Sequence, residues 1–167
     1  MTEQTSEFPE IVAELLAMSE RDQTMRKSRQ WDSSVDEENT RRMKEIVAQI
    51  GWPTRSKVGK QAAFTAWLLV QHADHDREFQ KYCLELMYAQ PIDEVEPRDT
   101  AHLEDRVRVA AGRPQRYGTQ FFTNSEGEFG PRAIEDIEHV DQRRAELGMD
   151  TLEEYTKFIK EFYQDKK

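Results

Sequence analysis

The chain has 167 residues, a length that one domain fills while burying about two-thirds of its unfolded surface, so a core is possible without disulfide or metal staples. With 33 acidic against 24 basic residues it carries a formal charge of −9, which disfavours nucleic acid and anionic membranes as general partners. The single cysteine, Cys83, excludes an internal disulfide framework and makes a reducing, cytoplasmic compartment the expectation.

In chain order the elements are mostly helical. The first helix runs from about Phe8 to Arg29 on a stripe of Phe8, Ile11, Val12, Leu15 and Leu16, and two further turns of that stripe land on Asp22, Gln23 and Arg26. The second opens on a capping box, Ser34 with Glu37, carries Met43, Ile46, Val47 and Ile50, and stops at Gly51 before Pro53. Its stripe, projected backwards, puts Asn39 on the buried face. The third helix, roughly Val58 to His72, is apolar nearly all round, which predicts the central helix of the core with Phe64 and Trp67 largely buried. Gln71 and His72 occupy its last turn.

A fourth helix starts from Asp74 or Asp76 and presents Phe79, Tyr82, Cys83, Leu86 and Met87. The fifth is capped by Asp99 or Thr100, shows Leu103, Arg106, Val107 and Ala110 on one face, and ends at Gly112. The period then changes. Tyr117 to Thr123 and Phe129 to Ile134 read as strands about the turn 124–127, a hairpin packed on the helices. A sixth helix, about Glu135 to Leu147, aligns Ile137, Val140 and Leu147 with Arg144. The last starts on the capping box Thr151 with Glu154 and turns Leu152, Tyr155, Phe158, Ile159 and Phe162 inward. The tail, Asp165 to Lys167, is expected to fray. The fold expected is mainly α, a compact single-domain bundle of six to seven helices with one small β-hairpin, its core spanning about residues 8–163 of 1–167. Residues 1–10 lack a leader-like pattern, and the longest apolar run, Ala62 to Val70, contains Thr65, so no membrane span is expected.

Several apolar stripes thus carry a polar residue. Core-facing polar groups are costly unless paired, so their convergence would build a polar pocket. His72 is the first choice for an acid or base near neutral pH, with Gln71, Asp74 or Asp105 available to fix its tautomer; the alternative is a hydrogen-bonded histidine ending a buried helix. Arg26, Arg106 and Arg144 could clamp a carboxylate or phosphate, or could form interhelical ion pairs. In the hairpin, Tyr117 and Thr119 present hydroxyls on one face and Gln120 an amide on the other; they would select a ligand, or would seal the core by bonding local backbone. His72 with His75, and His102 with Asp105, have the spacing of metal-ligand pairs, but no third ligand is fixed in sequence and no metal is expected. Cys83 reads as a small buried hydrophobe.

Gly51-Trp52-Pro53-Thr54, the Gln71-His72-Ala73-Asp74 run, Asp105-Arg106, the Gln115-x-Tyr117-Gly118-Thr119-Gln120 stretch and residues 143–148 together resemble a bacterial family of uncharacterised small domains. The resemblance covers about residues 22–155. It implies that Gln23, Arg26, Asn39, Gln71, His72, Asp74, Asp105, Arg106, Gln115, Tyr117, Gly118, Thr119, Gln120 and Arg144 stand at motif positions, and it supplies no mechanism.

The function expected is that of a small cytoplasmic enzyme performing cofactor-independent acid-base chemistry on a small anionic metabolite or peptide group. His72 would carry the proton and Asp74 or Asp105 would orient it. Gln23, Arg26, Asn39, Gln71, Arg106, Gln115, Tyr117, Thr119, Gln120 and Arg144 would bind substrate. The alternative is a non-catalytic ligand- or protein-binding module in which the same residues form a structural network.

Overall fold

A computed structural model describes residues 6–28 and 30–164. The chain groups into two compact units that divide after Asp99, where the sequence expectation has one domain. The expected end of the first helix at Arg29 and the charged tail, 165–167, lie outside the described residues.

The first unit is built from α1 (Pro9–Lys27), α2 (Ser33–Ile50), α3 (Arg55–Gln71) and α4 (Arg77–Tyr88). Proline at the first position of α1 lacks only an N–H that the helix would leave unpaired anyway. The buried stripe of α1 is Ile11, Leu15, Met18, Asp22 and Met25, so the apolar period runs straight into a carboxylate. α2 starts two residues earlier than expected because Asp32, not Ser34, is its cap: the Asp32 carboxylate accepts from the Ser34 amide and hydroxyl. α3 packs against α1, α2 and α4 and is the centre of this unit. Ala62, Thr65, Ala66, Leu69 and Val70 face inward, and the small side chains among them let neighbouring helices approach closely. Gly59 breaks the helical path of α3 (φ 79°, ψ 162°), so its regular part begins at Lys60.

Phe64 departs from expectation, being 49% exposed, and Trp67 is half-buried. An all-round apolar helix has more faces than this four-helix unit can cover. Tyr82 on α4 is likewise exposed, while Leu84 takes a buried position beside Cys83 and Met87. Burial pushes the Cys83 thiol up to about 12, which makes it an inert packing group.

The second unit takes up α5 (Pro97–Ala110) from Thr100 onward, β1 (Phe121–Thr123), β2 (Phe129–Pro131), a 3-10 turn (Ile137–His139), α6 (Val140–Glu146) and α7 (Leu152–Gln164). The strands pair antiparallel with Phe122 opposite Gly130, and the Asn124 carboxamide closes the turn by accepting from the amides of Glu126 and Glu128. Both strands are shorter than their sequence pattern, because residues 115–120 are drawn into a loop. The helix expected from Glu135 also starts late. Asp136 adopts a left-handed conformation (φ 46°), and the 3-10 turn leaves Ile137 exposed. On α7 the Thr151–Glu154 capping box forms as predicted, with the Thr151 hydroxyl donating to the Glu154 carboxylate. Phe158 and Phe162 are nevertheless exposed.

α5 begins at Pro97, ahead of the expected caps, and the shift places Asp99 inside its first turn. Burial and the charge of Glu96, against the opposing pull of Arg55, push the Asp99 carboxyl from 3.8 to about 7. A carboxyl that binds its proton more tightly when folded contributes stability that is lost as pH rises through the window between those two values. Thermal melts between pH 4 and 8 should therefore show the parent protein falling relative to Asp99→Asn, whose side chain stays neutral. Parallel curves would contradict the shift.

Candidate functional site

α1, α2 and the end of α3 bring four ionisable side chains together in the first unit. Asp22 is fully buried, and its Oδ1 lies 2.9 Å from His72 Nδ1 and 3.1 Å from Arg26 Nε; Arg26 Nε is in turn 3.1 Å from His72 Nδ1. The second carboxylate oxygen of Asp22 accepts from Gln23 Nε2 at 2.7 Å. Arg26 reaches the other way to donate through Nη2 to Asp36 Oδ1 at 2.7 Å. The Asp22 and Arg26 pair sits one helical turn apart on α1, and Asp36 comes from the first turn of α2.

The electrostatics differ between the two carboxylates. Burial opposes ionisation of Asp22, but the hydrogen bond and charge of His72, together with Arg26 and Gln23, outweigh it and hold this carboxyl below its ordinary range. At Asp36 burial prevails, reinforced by the charge of Asp22 and opposed by Arg26, so its carboxyl is raised. Side-chain exposure is 18% at His72 and 24% at Arg26, so the cluster opens to solvent at these two groups while its carboxylates are sealed. The exposed ring of Trp31 stacks over the Arg26 guanidinium at 5.0 Å.

His72 is positioned by the way α3 ends. Its amide bonds Leu68 and Leu69 carbonyls, and the Gln80 carboxamide, 1% exposed, donates to the Val70 and Gln71 carbonyls and to Asp74 Oδ1. Gln80 thus caps a helix terminus that would otherwise bury unpaired oxygens. Asp22 takes the place at His72 Nδ1 that the sequence offered to Asp74 or Asp105. Asp74 and His75 are both exposed, and Asp105 belongs to the second unit. Asn39 is buried on α2 and its Nδ2 has no hydrogen-bond partner among the described residues.

Asp105, fully buried, organises the motif residues of the second unit. It accepts from the amides of Arg116 (2.6 Å), Tyr117 (3.1 Å) and Thr119 (3.0 Å) and from the Thr119 hydroxyl (3.0 Å). Burial raises its carboxyl and these donors oppose the rise. Gln115, also fully buried, donates from Nε2 to the carbonyls of Gln120 and Arg132 and accepts from the Gln120 amide, tying the loop to the hairpin. Gln120 Nε2 donates to the Thr119 hydroxyl. Arg144, 1% exposed, donates to the carbonyls of Asp150 and Tyr117 and lies over the Tyr155 ring at 4.9 Å. It clasps the loop and offers no open face to a ligand. His102 is half-buried beside Tyr155; desolvation, with the charges of Arg144 and Arg106, depresses its pKa to about 4. The substrate-selecting roles expected of Gln115, Thr119 and Arg144 therefore meet side chains already engaged in holding their own loop, and Arg106 belongs to the same unit.

Asp36 and Trp31 escaped the sequence reading. Asp36 was within reach of it, three residues ahead of Asn39 on the same stripe. Trp31 lies between helices, where periodicity says nothing.

The model of a family of unknown function, DUF6624, matches residues 9–167. The chain belongs to that family. No curated protein and no solved structure matches it. For this DUF6624 domain, chemistry has to be argued from the side chains themselves.

Two substitutions test the loop. Asp105→Ala strands three backbone amides and the buried Thr119 hydroxyl and should cost about 3–5 kcal/mol in urea unfolding; a loss under about 1 kcal/mol would show that the loop stands without its carboxylate. Gly118 has φ +71°, and a Cβ there would come 2.6 Å from Leu152 Cδ1 and 3.0 Å from Ile134 Cδ1. Gly118→Ala should cost about 1–3 kcal/mol by the same measurement.

Proposed function

We propose that this chain is a small cytoplasmic enzyme whose reaction centre is the Asp22, Arg26, Asp36 and His72 cluster, working by acid-base chemistry of the hydrolase, lyase or isomerase kind. The observation that carries the reading is the 2.9 Å contact between a sealed carboxylate, Asp22, and the Nδ1 of an imidazole that reaches solvent. With Nδ1–H donating to Asp22, the ring is held in one tautomer and Nε2 is left as the base. A buried orienting carboxylate also stabilises the imidazolium formed when Nε2 takes a proton.

Arg26 offers one donor to a substrate. Its Nε and Nη2 are engaged by the cluster, whereas Nη1 has no partner among the described residues. That nitrogen suits one oxygen of a small carboxylate or of a peptide group. The bidentate three-arginine clamp of the sequence reading reduces, in this proposal, to Arg26.

A second reading, a structural or binding network without catalysis, is favoured by Arg26 itself. It pairs with both carboxylates from within, as buried charges usually are paired. His72→Gln separates the two, because it keeps polar volume and removes the proton carrier. An acid-base enzyme should lose turnover by about 10²–10⁴-fold with its melting temperature nearly unchanged. The assay is whichever hydrolase, lyase or isomerase screen gives turnover with the parent protein. A variant destabilised by about 1–3 kcal/mol that keeps full activity would end the catalytic reading.

A further inference from the structure

We infer that Asp22, Asp36 and His72 form a binding site for a first-row divalent transition metal ion such as Mn2+ or Zn2+, with Arg26 as the resident cation that the metal displaces. This goes beyond the acid-base reading and does not depend on it. One ligand atom from each of the three residues lies within 4.8 Å of the others, the spacing needed to meet on one ion. Two carboxylate oxygens and one imidazole nitrogen are a donor set that suits such ions, and both carboxylates are buried where a hydrated surface ion pair could not compete.

The contacts around His72 Nδ1 give the physical reason. Asp22 Oδ1, Arg26 Nε and His72 Nδ1 form a triangle with sides of 2.9, 3.1 and 3.1 Å. No tautomer satisfies all three sides. If Nδ1 carries hydrogen, it faces the Arg26 Nε–H; if it is bare, its lone pair faces the carboxylate oxygen. A metal ion removes the conflict, since the imidazole lone pair and the carboxylate oxygens then point at one positive centre. With both carboxylates ionised and His72 neutral, Arg26 offsets only one of the two negative charges, whereas a divalent ion in its place offsets both. Arg26 has somewhere to go: its side chain is already 24% exposed, with the Trp31 ring beside it.

Asn39 is the independent observation. It lies three residues after Asp36 on the same buried face of α2, is 3% exposed, and its Nδ2 has no hydrogen-bond partner among the described residues. A buried amide left unsatisfied in the free protein is a group waiting for a partner. Rotating the carboxamide by half a turn offers its oxygen, a hard donor of the kind that completes such a coordination shell.

The experiment is equilibrium binding of Mn2+ and, separately, Zn2+ to full-length protein stripped with chelator, followed by calorimetry and by the fluorescence of the tryptophans. Binding of about one ion per chain is expected. Asp36→Asn and His72→Gln should weaken it by at least about 10-fold, and Arg26→Gln should tighten it by removing the competing cation. The last variant keeps the test decisive if either of the first two folds poorly, because a structural network would not gain affinity when its arginine is lost. His139→Gln, at an exposed histidine, should change nothing. No binding at millimolar metal, binding that survives both Asp36→Asn and His72→Gln, or an Arg26→Gln variant that binds no more tightly would each overturn the inference. None of these results bears on turnover of the stripped protein, so failure here and failure of the acid-base reading remain separate.

Discussion

A carboxylate taken fully out of water has to be surrounded by donors, and each unit of this protein is arranged around one. In the second unit Asp105 is met by backbone amides and a hydroxyl, all from residues 116–119. In the first unit Asp22 is met by side chains that come from its own helix and from the end of α3. The difference in donor type matters. Amides fixed in a loop cannot leave, so Asp105 holds a shape. Side chains can rotate, so the partners of Asp22 can exchange it for something else.

This contrast accounts for the different fates of residues that look alike in sequence. Gln115 and Gln23 are both glutamines beside a buried carboxylate's loop or helix, yet one bridges three backbone groups and the other makes a single bond to the acid. Arg144 and Arg26 are both arginines on apolar stripes. Arg144 is sealed against the carbonyls of Asp150 and Tyr117, whereas Arg26 stands between two acids at the edge of solvent. Polar residues on an apolar stripe are thus of two kinds, those that staple backbone and those that pair with other side chains. Only the second kind leaves chemistry open.

Helices and their periodic faces were legible because burial imposes a 3.6-residue repeat, and Asp22 and Asn39 were found as interruptions of it and His72 at the end of an apolar run; on α5 the stripe pointed to Arg106, whereas its neighbour Asp105 is the residue that is fully buried. The partner of His72 was not legible as such. Asp74 is two residues away in sequence and Asp22 fifty, and the distance between α1 and the end of α3 depends on packing that no local pattern records. The long strands read at Tyr117 to Thr123 failed for a related reason: an alternating pattern describes side-chain directions, while the Asp105 carboxylate captures the backbone amides that strand pairing would use. Phe158 and Phe162 were placed inward because amphipathicity names a face and not what covers it.

The break at Gly59 separates two problems that a continuous helix would couple. In an unbroken α3, adding or removing one residue near Arg55 would rotate everything after it by about 100°, carrying His72 away from Asp22. A non-helical residue with no neighbour within 4 Å of where its Cβ would stand resets that phase. The direction in which His72 points is therefore fixed by the twelve or so residues after Gly59 and by the Gln80 cap, and not by the phase of the turn of helix that precedes Gly59.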